Sequence, residues 1–208
     1  MALAETQRAL AQLYTNTHLR QQFCADPVAV SVALGLSAVE ASQMARMSPS
    51  QLSLFAHSLR RKRLNEISKM FPLTHRALGL RFDALVEQYF NTQESKGTRT
   101  LLEDTQRVAK FLEETLRAER VEVWLRDTAR YEAACVKLSR PRSVLMLVSF
   151  HFSIADLTRW LLQGKSGALP PSQRVLAVWI RMSPSGRLRH FLISLPRSLS
   201  WRNNEPLS

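Results

Sequence analysis

Any metal site or acid–base pair in this chain would have to be built from five histidines, two cysteines and a scatter of carboxylates. His18, His57, His75, His151 and His190 form no HExxH pair, and Cys24 and Cys135 show no metal-ligand spacing. His57 and His75 flank one helix-turn and could serve as ligands, although ordinary surface or core histidines explain them as well. Gly164-Lys165-Ser166 ends like a phosphate-binding loop. However, Arg159 stands where the first glycine belongs, and the triplet follows a helical pattern instead of a strand. No G-x-S-x-G elbow is present, and the C-terminal third lacks the acidic partner an acid–base pair needs. The sequence therefore predicts no enzyme, no catalytic residue and no metal ligand in this chain.

Cations are better supplied. The 208 residues carry 29 Lys and Arg against 17 Asp and Glu, a net charge of +12 that favours an acidic partner or nucleic acid. Residues 1–90 hold 10 basic and 6 acidic side chains (+4), and residues 91–140 hold 10 and 9 (+1). Residues 141–208 hold 9 basic side chains against Asp156 and Glu205 alone (+7), so the excess gathers in the last third. Arg60-Arg61-Lys62-Arg63 is the sharpest cluster. Four consecutive cations spread around most of a helix, so at least one must lie against protein or neutralise a carboxylate such as Glu66. The others are expected to expose their tips and lay their stems on apolar neighbours, as a solvated face or as phosphate contacts.

The second candidate surface is a C-terminal hairpin with strands over 174–182 and 187–195, closed by Ser183-Pro184-Ser185-Gly186. Val175, Ala177, Trp179 and Arg181 share one side of the first strand, and Arg187, Arg189 and Phe191 one side of the second. This alternation predicts a face that mixes Trp179, Arg181, Arg187, Arg189 and Phe191, suited to docking an acidic peptide. An edge strand there could take an extended peptide through its backbone. Alternatively, Trp179 packs under the preceding helix.

The elements that position these groups are punctuated clearly. Residues 3–23 have helical spacing, Asp26-Pro27 starts a short helix that Gly35 ends, and Ser37-x-x-Glu40 and Ser48-Pro49-x-Gln51 read as capping boxes. The helix from Pro49 stops at Phe71-Pro72, Thr74 can cap a single turn ending at Gly79, and Phe82, Leu85, Val86 and Tyr89 stripe another helix. Residues 91–99 form the linker. Residues 101–138 continue as one helix or two, with Arg140-Pro141 closing them. Ser143–Phe150 is a continuous apolar run, expected as a strand buried on both faces. A helix over 153–163 and the hairpin follow. The result is an α+β chain: a helical N-terminal two-thirds, then a small three-stranded sheet with one helix in the order β-α-β-β. Its expected parts are a helical domain over 1–92, bridging helices over 100–140 and a small α/β domain over 141–208.

Two stretches resemble a known family. The first runs from His57-Ser58-Leu59-Arg60-Arg61-Lys62-Arg63-Leu64 through Met70-Phe71-Pro72-Leu73-Thr74 and Ala77-Leu78-Gly79 to Phe82 and Tyr89. It is similar to a helical module that travels under the label "DNA-binding". The second, Trp124-Leu125-Arg126-Asp127-Thr128-Ala129-Arg130-Tyr131-Glu132, resembles another helical signature of the same proteins. These are partner subunits of multinuclear non-heme iron-dependent oxidative enzymes, which modify cysteine-containing ribosomal precursor peptides, as in methanobactin biosynthesis. The resemblance covers about a fifth of the chain; the last third matches in pattern only.

What the resemblance implies is a non-catalytic subunit that binds an iron-dependent oxidase and helps recruit its precursor peptide. The iron would belong to the oxidase, with no cofactor in this chain. Arg60, Arg61, Arg63, Phe71 and Arg76 become the expected oxidase contacts, and Trp179, Arg181, Arg187, Arg189 and Phe191 the expected peptide contacts. A DNA-binding regulator using the basic surface is the alternative, although no helix-turn-helix with a base-reading helix is legible. No apolar run reaches the ~18 residues of a membrane span, and the first twenty residues lack the regions of an export signal. A cytoplasmic protein without membrane contact is expected.

Overall fold

Side-chain caps delimit the first helices. In the computed structural model, which describes residues 2–92, 101–140 and 144–196, α1 (Ala2–Thr15) and α2 (Thr17–Ala25) replace the single helix expected over 3–23. Asn16 breaks it: the side-chain carbonyl accepts the Leu19 N–H at 2.9 Å and so starts a new helix. Asp26 caps α3 (Pro27–Ala33), and Gly35 takes a φ of 87° just beyond its end. Ser37 and Glu40 form the reciprocal box that opens α4 (Ala38–Met44). At α5 (Pro49–Met70) the expected box is replaced, since the Ser48 hydroxyl bonds that of Ser50 at 2.7 Å.

α6 (Pro72–Leu78) begins at its proline, so Thr74 lies inside the helix and does not cap it by its own side chain. α7 (Leu80–Thr92) buries Phe82, Leu85, Val86, Tyr89 and Phe90. The 101–138 segment is two helices, α8 (Leu101–Ala118) and α9 (Val123–Leu138). With no glycine at the break, Arg120 adopts the left-handed φ of 52°, while the Val121 N–H reaches back to the Leu116 carbonyl.

β1 (Val144–Phe152), α10 (Ile154–Leu162), β2 (Ser172–Arg181) and β3 (Arg189–Ser194) complete an α+β chain. The sheet is antiparallel in the order β1-β2-β3, and every described strand lies after residue 143. Of the linker, 93–99 fall outside the described residues, as do Pro141 and Ser143.

The packing divides the chain into two compact units that do not follow the linker: residues 1–70 with 80–108, and residues 71–79 with 109–208. The first unit is helical, with Ala9, Leu13, Phe23, Leu36, Met44 and Leu52 forming one of its cores. In the second, Trp124, Leu125, Phe150, Leu157, Leu161 and Trp179 pack together with Leu73 and Leu78 of α6. Glu132 of α9 explains why α6 joins this unit. Its buried carboxylate accepts the Leu73 N–H at 2.7 Å, the Thr74 N–H at 2.8 Å and the Thr74 hydroxyl at 2.6 Å. A side chain fifty-eight residues away thus supplies the cap that α6 lacks locally.

Candidate functional site

β1 was expected to be buried on both faces, yet its burial alternates: Leu145 and Leu147 are 66% and 57% exposed while Phe150 is buried. Among the described residues, helices cover the sheet on one face only, because α9 and α10 both pack on the side of Phe150, Ala177 and Trp179. On the other face, the register lines up Leu145 with Ile180 and Arg189, Leu147 with Val178 and Phe191, and Ser149 with Leu176 and Ile193. This uncovered face is apolar at its centre and bears Arg189 at one end.

The register also corrects the expected peptide face. Trp179 lies opposite His190, not Arg189. Trp179 is only 2% exposed, stacks on the His190 ring at 4.7 Å and 9°, and lies 5.9 Å from the Tyr131 ring. It is a core residue. Arg181 belongs to the same inner side and donates to the Arg140 carbonyl at 2.7 Å and the Leu138 carbonyl at 3.2 Å, closing the end of α9. Arg189 and Phe191 lie on the uncovered face, and Arg187 is exposed in the connection between the strands. The expected five are therefore split between two faces. The signal was available, since a four-residue loop over 183–186 sets Met182 opposite Arg187. Odd positions of one strand then share a face with even positions of the other.

The two edges of the sheet differ. The Leu195 N–H bonds the Arg174 carbonyl at 2.9 Å, so by antiparallel alternation Arg189, Phe191 and Ile193 point their backbone groups at β2. His190, Leu192 and Ser194 point theirs away from the sheet. On β1, α9 occupies part of the corresponding edge. Asp127, 1% exposed, accepts the N–H of His151 and, at 3.1 Å, of Phe152, and Arg130 donates to the Ser149 carbonyl at 3.3 Å. The Trp124–Glu132 stretch is thus a set of staples: Asp127 fastens the end of β1 and Glu132 caps α6. Burial pushes the Glu132 carboxyl above its ordinary 4.5 despite its three donors, and burial chiefly pushes the Tyr131 phenol up to about 12.

The expected oxidase contacts are likewise divided. Arg60 pairs with Glu87 and donates to Asn91 at 2.8 Å, Arg63 pairs with the buried Asp104, and both guanidiniums lie over the Phe90 ring. Their side chains are 27% and 31% exposed, so these tips are held against the first unit and not presented to solvent. Glu66, the expected carboxylate, pairs with Lys69 instead. Three-residue spacing puts Arg60 and Arg63 on the inner side of α5 and leaves Arg61 and Lys62 exposed. Phe71 is buried at 1% exposure, whereas Arg76 is exposed.

Among the described residues, no three His, Cys, Asp or Glu side chains are grouped closely enough to hold a metal ion, and Cys24 and Cys135 are free thiols. Lys165, from the rejected phosphate-loop triplet, donates to the Ala77 carbonyl at 2.8 Å beyond the end of α10. No helix among these residues is long and apolar enough to cross a membrane. No protein-family model matches the chain, and no curated protein matches it significantly.

Proposed function

We propose that this chain is a cytoplasmic, non-catalytic partner subunit of an iron-dependent peptide-modifying oxidase, and that it presents a cysteine-bearing precursor peptide along the outer edge of β3. The observation that carries this reading is the difference between the sheet's edges: α9 side chains take up part of the β1 edge, while His190, Leu192 and Ser194 on β3 offer a row of backbone donors and acceptors that are unpaired among the described residues. Phe191 and Ile193, 48% and 49% exposed, flank that edge with apolar surface, and Arg187 and Arg189 supply charge for an acidic peptide. The family resemblance adds the oxidase, which supplies the iron.

The test is anisotropy of a labelled acidic precursor peptide. Leu192→Pro removes a donor that points away from the sheet, so it should abolish binding while keeping the tryptophan fluorescence of the folded unit. Arg187→Ala with Arg189→Ala should weaken binding and flatten its salt dependence. Full affinity in the proline variant sinks the edge reading. Turnover of a peptide by this chain alone with added iron sinks the partner reading.

A DNA-binding regulator is favoured by one observation, the exposed Arg61, Lys62 and Lys69 on the outer side of α5. A gel shift whose affinity falls steeply with salt would favour it.

A further inference from the structure

We propose that a cavity in the second unit, bounded by the end of α8, the start of α9 and the end of β1, is a binding pocket for a single carboxylate group. It measures about 130 Å³, and its charged lining is Arg117, Arg126, Arg130, Glu113, Asp127 and His151. A cavity of about 150 Å³ can hold a benzene-sized molecule, so this one has room for a carboxylate with a few carbons.

Charge selects the ligand. Three guanidiniums face two carboxylates, leaving one positive charge when His151 is neutral. A monoanion balances it, whereas a dianion would leave the pocket negative. The resident carboxylates are also largely committed. Asp127 takes two backbone N–H groups at the end of β1, with Arg130 at 3.5 Å and His151 Nδ1 at 3.6 Å. Glu113 stands 3.6 Å from Arg117 and 3.9 Å from Arg130, too far for hydrogen bonds, so both guanidiniums keep donors to spare.

Arg126 is the least satisfied of the three. Its Nε–H is covered and has no acceptor, a costly state for a charged donor. A carboxylate entering the cavity offers two oxygens, which match the paired donors along a guanidinium edge once the guanidinium turns toward them. The start of α9 reinforces this preference. Val123, its first residue, lines the cavity, and Glu122 at the N-cap makes no capping bond, because its carboxylate accepts the Trp124 indole N–H instead. The first turn of the 16-residue α9, which has no side-chain cap, thus borders the pocket. The carboxylate could come from a free small acid or from an aspartate or glutamate side chain of a peptide. The site is independent of peptide docking on β3.

The experiment follows the arginine Nε–H resonances of the full-length ¹⁵N-labelled chain at constant ionic strength. The titrants are sodium acetate, a blocked Gly-Glu-Gly tripeptide with one carboxylate, and sodium chloride. Acetate should shift the Arg126 resonance saturably where chloride does not. Arg126→Met should weaken acetate binding at least tenfold, measured on the remaining pocket resonances. Arg117→Gln, at an exposed position that cannot unfold the chain, should weaken it several-fold with the melting temperature unchanged. Similar affinity for acetate and tripeptide makes a free acid the sufficient ligand; a tripeptide bound tenfold tighter makes it a side chain. Shifts no larger than those with chloride for both ligands, or undiminished affinity in both variants, overturn the proposal.

Discussion

Replacing Glu132 by alanine removes the acceptor of three donors at once. Two of them, the N–H and hydroxyl of Thr74, are wholly buried, and the third is the half-buried Leu73 N–H. Each orphaned donor costs about 1–3 kcal/mol, with the rotatable hydroxyl near the low end. Relief of the buried carboxylate's desolvation offsets part of that, leaving a loss of roughly 3 kcal/mol. A double-mutant cycle with Thr74→Val isolates the cap. In the parent, the valine should cost about 1.5 kcal/mol by deleting a hydrogen bond to a charged acceptor; in the Glu132→Ala background it should cost almost nothing. Urea unfolding followed by tryptophan fluorescence reads this selectively, because Trp124, Trp160 and Trp179 all lie in the second unit. The pH dependence has a defined sign. With its pKa raised above the ordinary 4.5, Glu132 holds its proton more tightly in the folded state. Its contribution is therefore present below 4.5 and lost as pH rises through the folded value, and Glu132→Gln should flatten that loss. Equal costs of Thr74→Val in the two backgrounds would refute the cap.

Arg63→Gln should destabilise the first unit by about 2–3 kcal/mol, read by circular dichroism at 222 nm, because the 3%-exposed Asp104 carboxylate loses its charge partner, an ion pair that the part-exposed Arg63 leaves partly screened by solvent. Arg61→Ala on the same helix, being exposed, should change stability by under about 0.5 kcal/mol. Arg120→Gly should raise the urea midpoint by the equivalent of about 0.5–1 kcal/mol, since glycine accepts the left-handed conformation that arginine holds at a cost. Burial pushes the His190 imidazole below its ordinary 6.5, so the folded state resists its protonation. Stability should then fall as pH drops from 6.5 through the folded value, with quenching of the stacked Trp179 centred below 6.5, and His190→Phe should abolish both.

Local chemistry was legible in the residues. The Ser37–Glu40 box, the Asp26 cap and the proline starts of α3 and α5 act within three or four residues, so side-chain type and spacing suffice to place them. The change from helical to strand periodicity near residue 143 likewise announced the α+β order and the β-α-β-β succession. Asn16 and Arg120 escaped notice because each breaks an uninterrupted apolar pattern without glycine or proline. Beyond that range only the tertiary structure decided. Whether Arg60 and Arg63 were presented or held depended on Glu87 and Asp104, 27 and 41 residues away. The role of Glu132 depended on a helix 58 residues before it. The exposure of β1 depended on helices covering one face of the sheet and not the other, which an apolar run cannot reveal. Trp179 became core instead of docking surface because hairpin pairing, and not alternation along a single strand, determines which residues share a face. Sequence spacing governs contacts along an element; contacts between elements depend on register and covering, and the candidate docking edge belongs to that second kind.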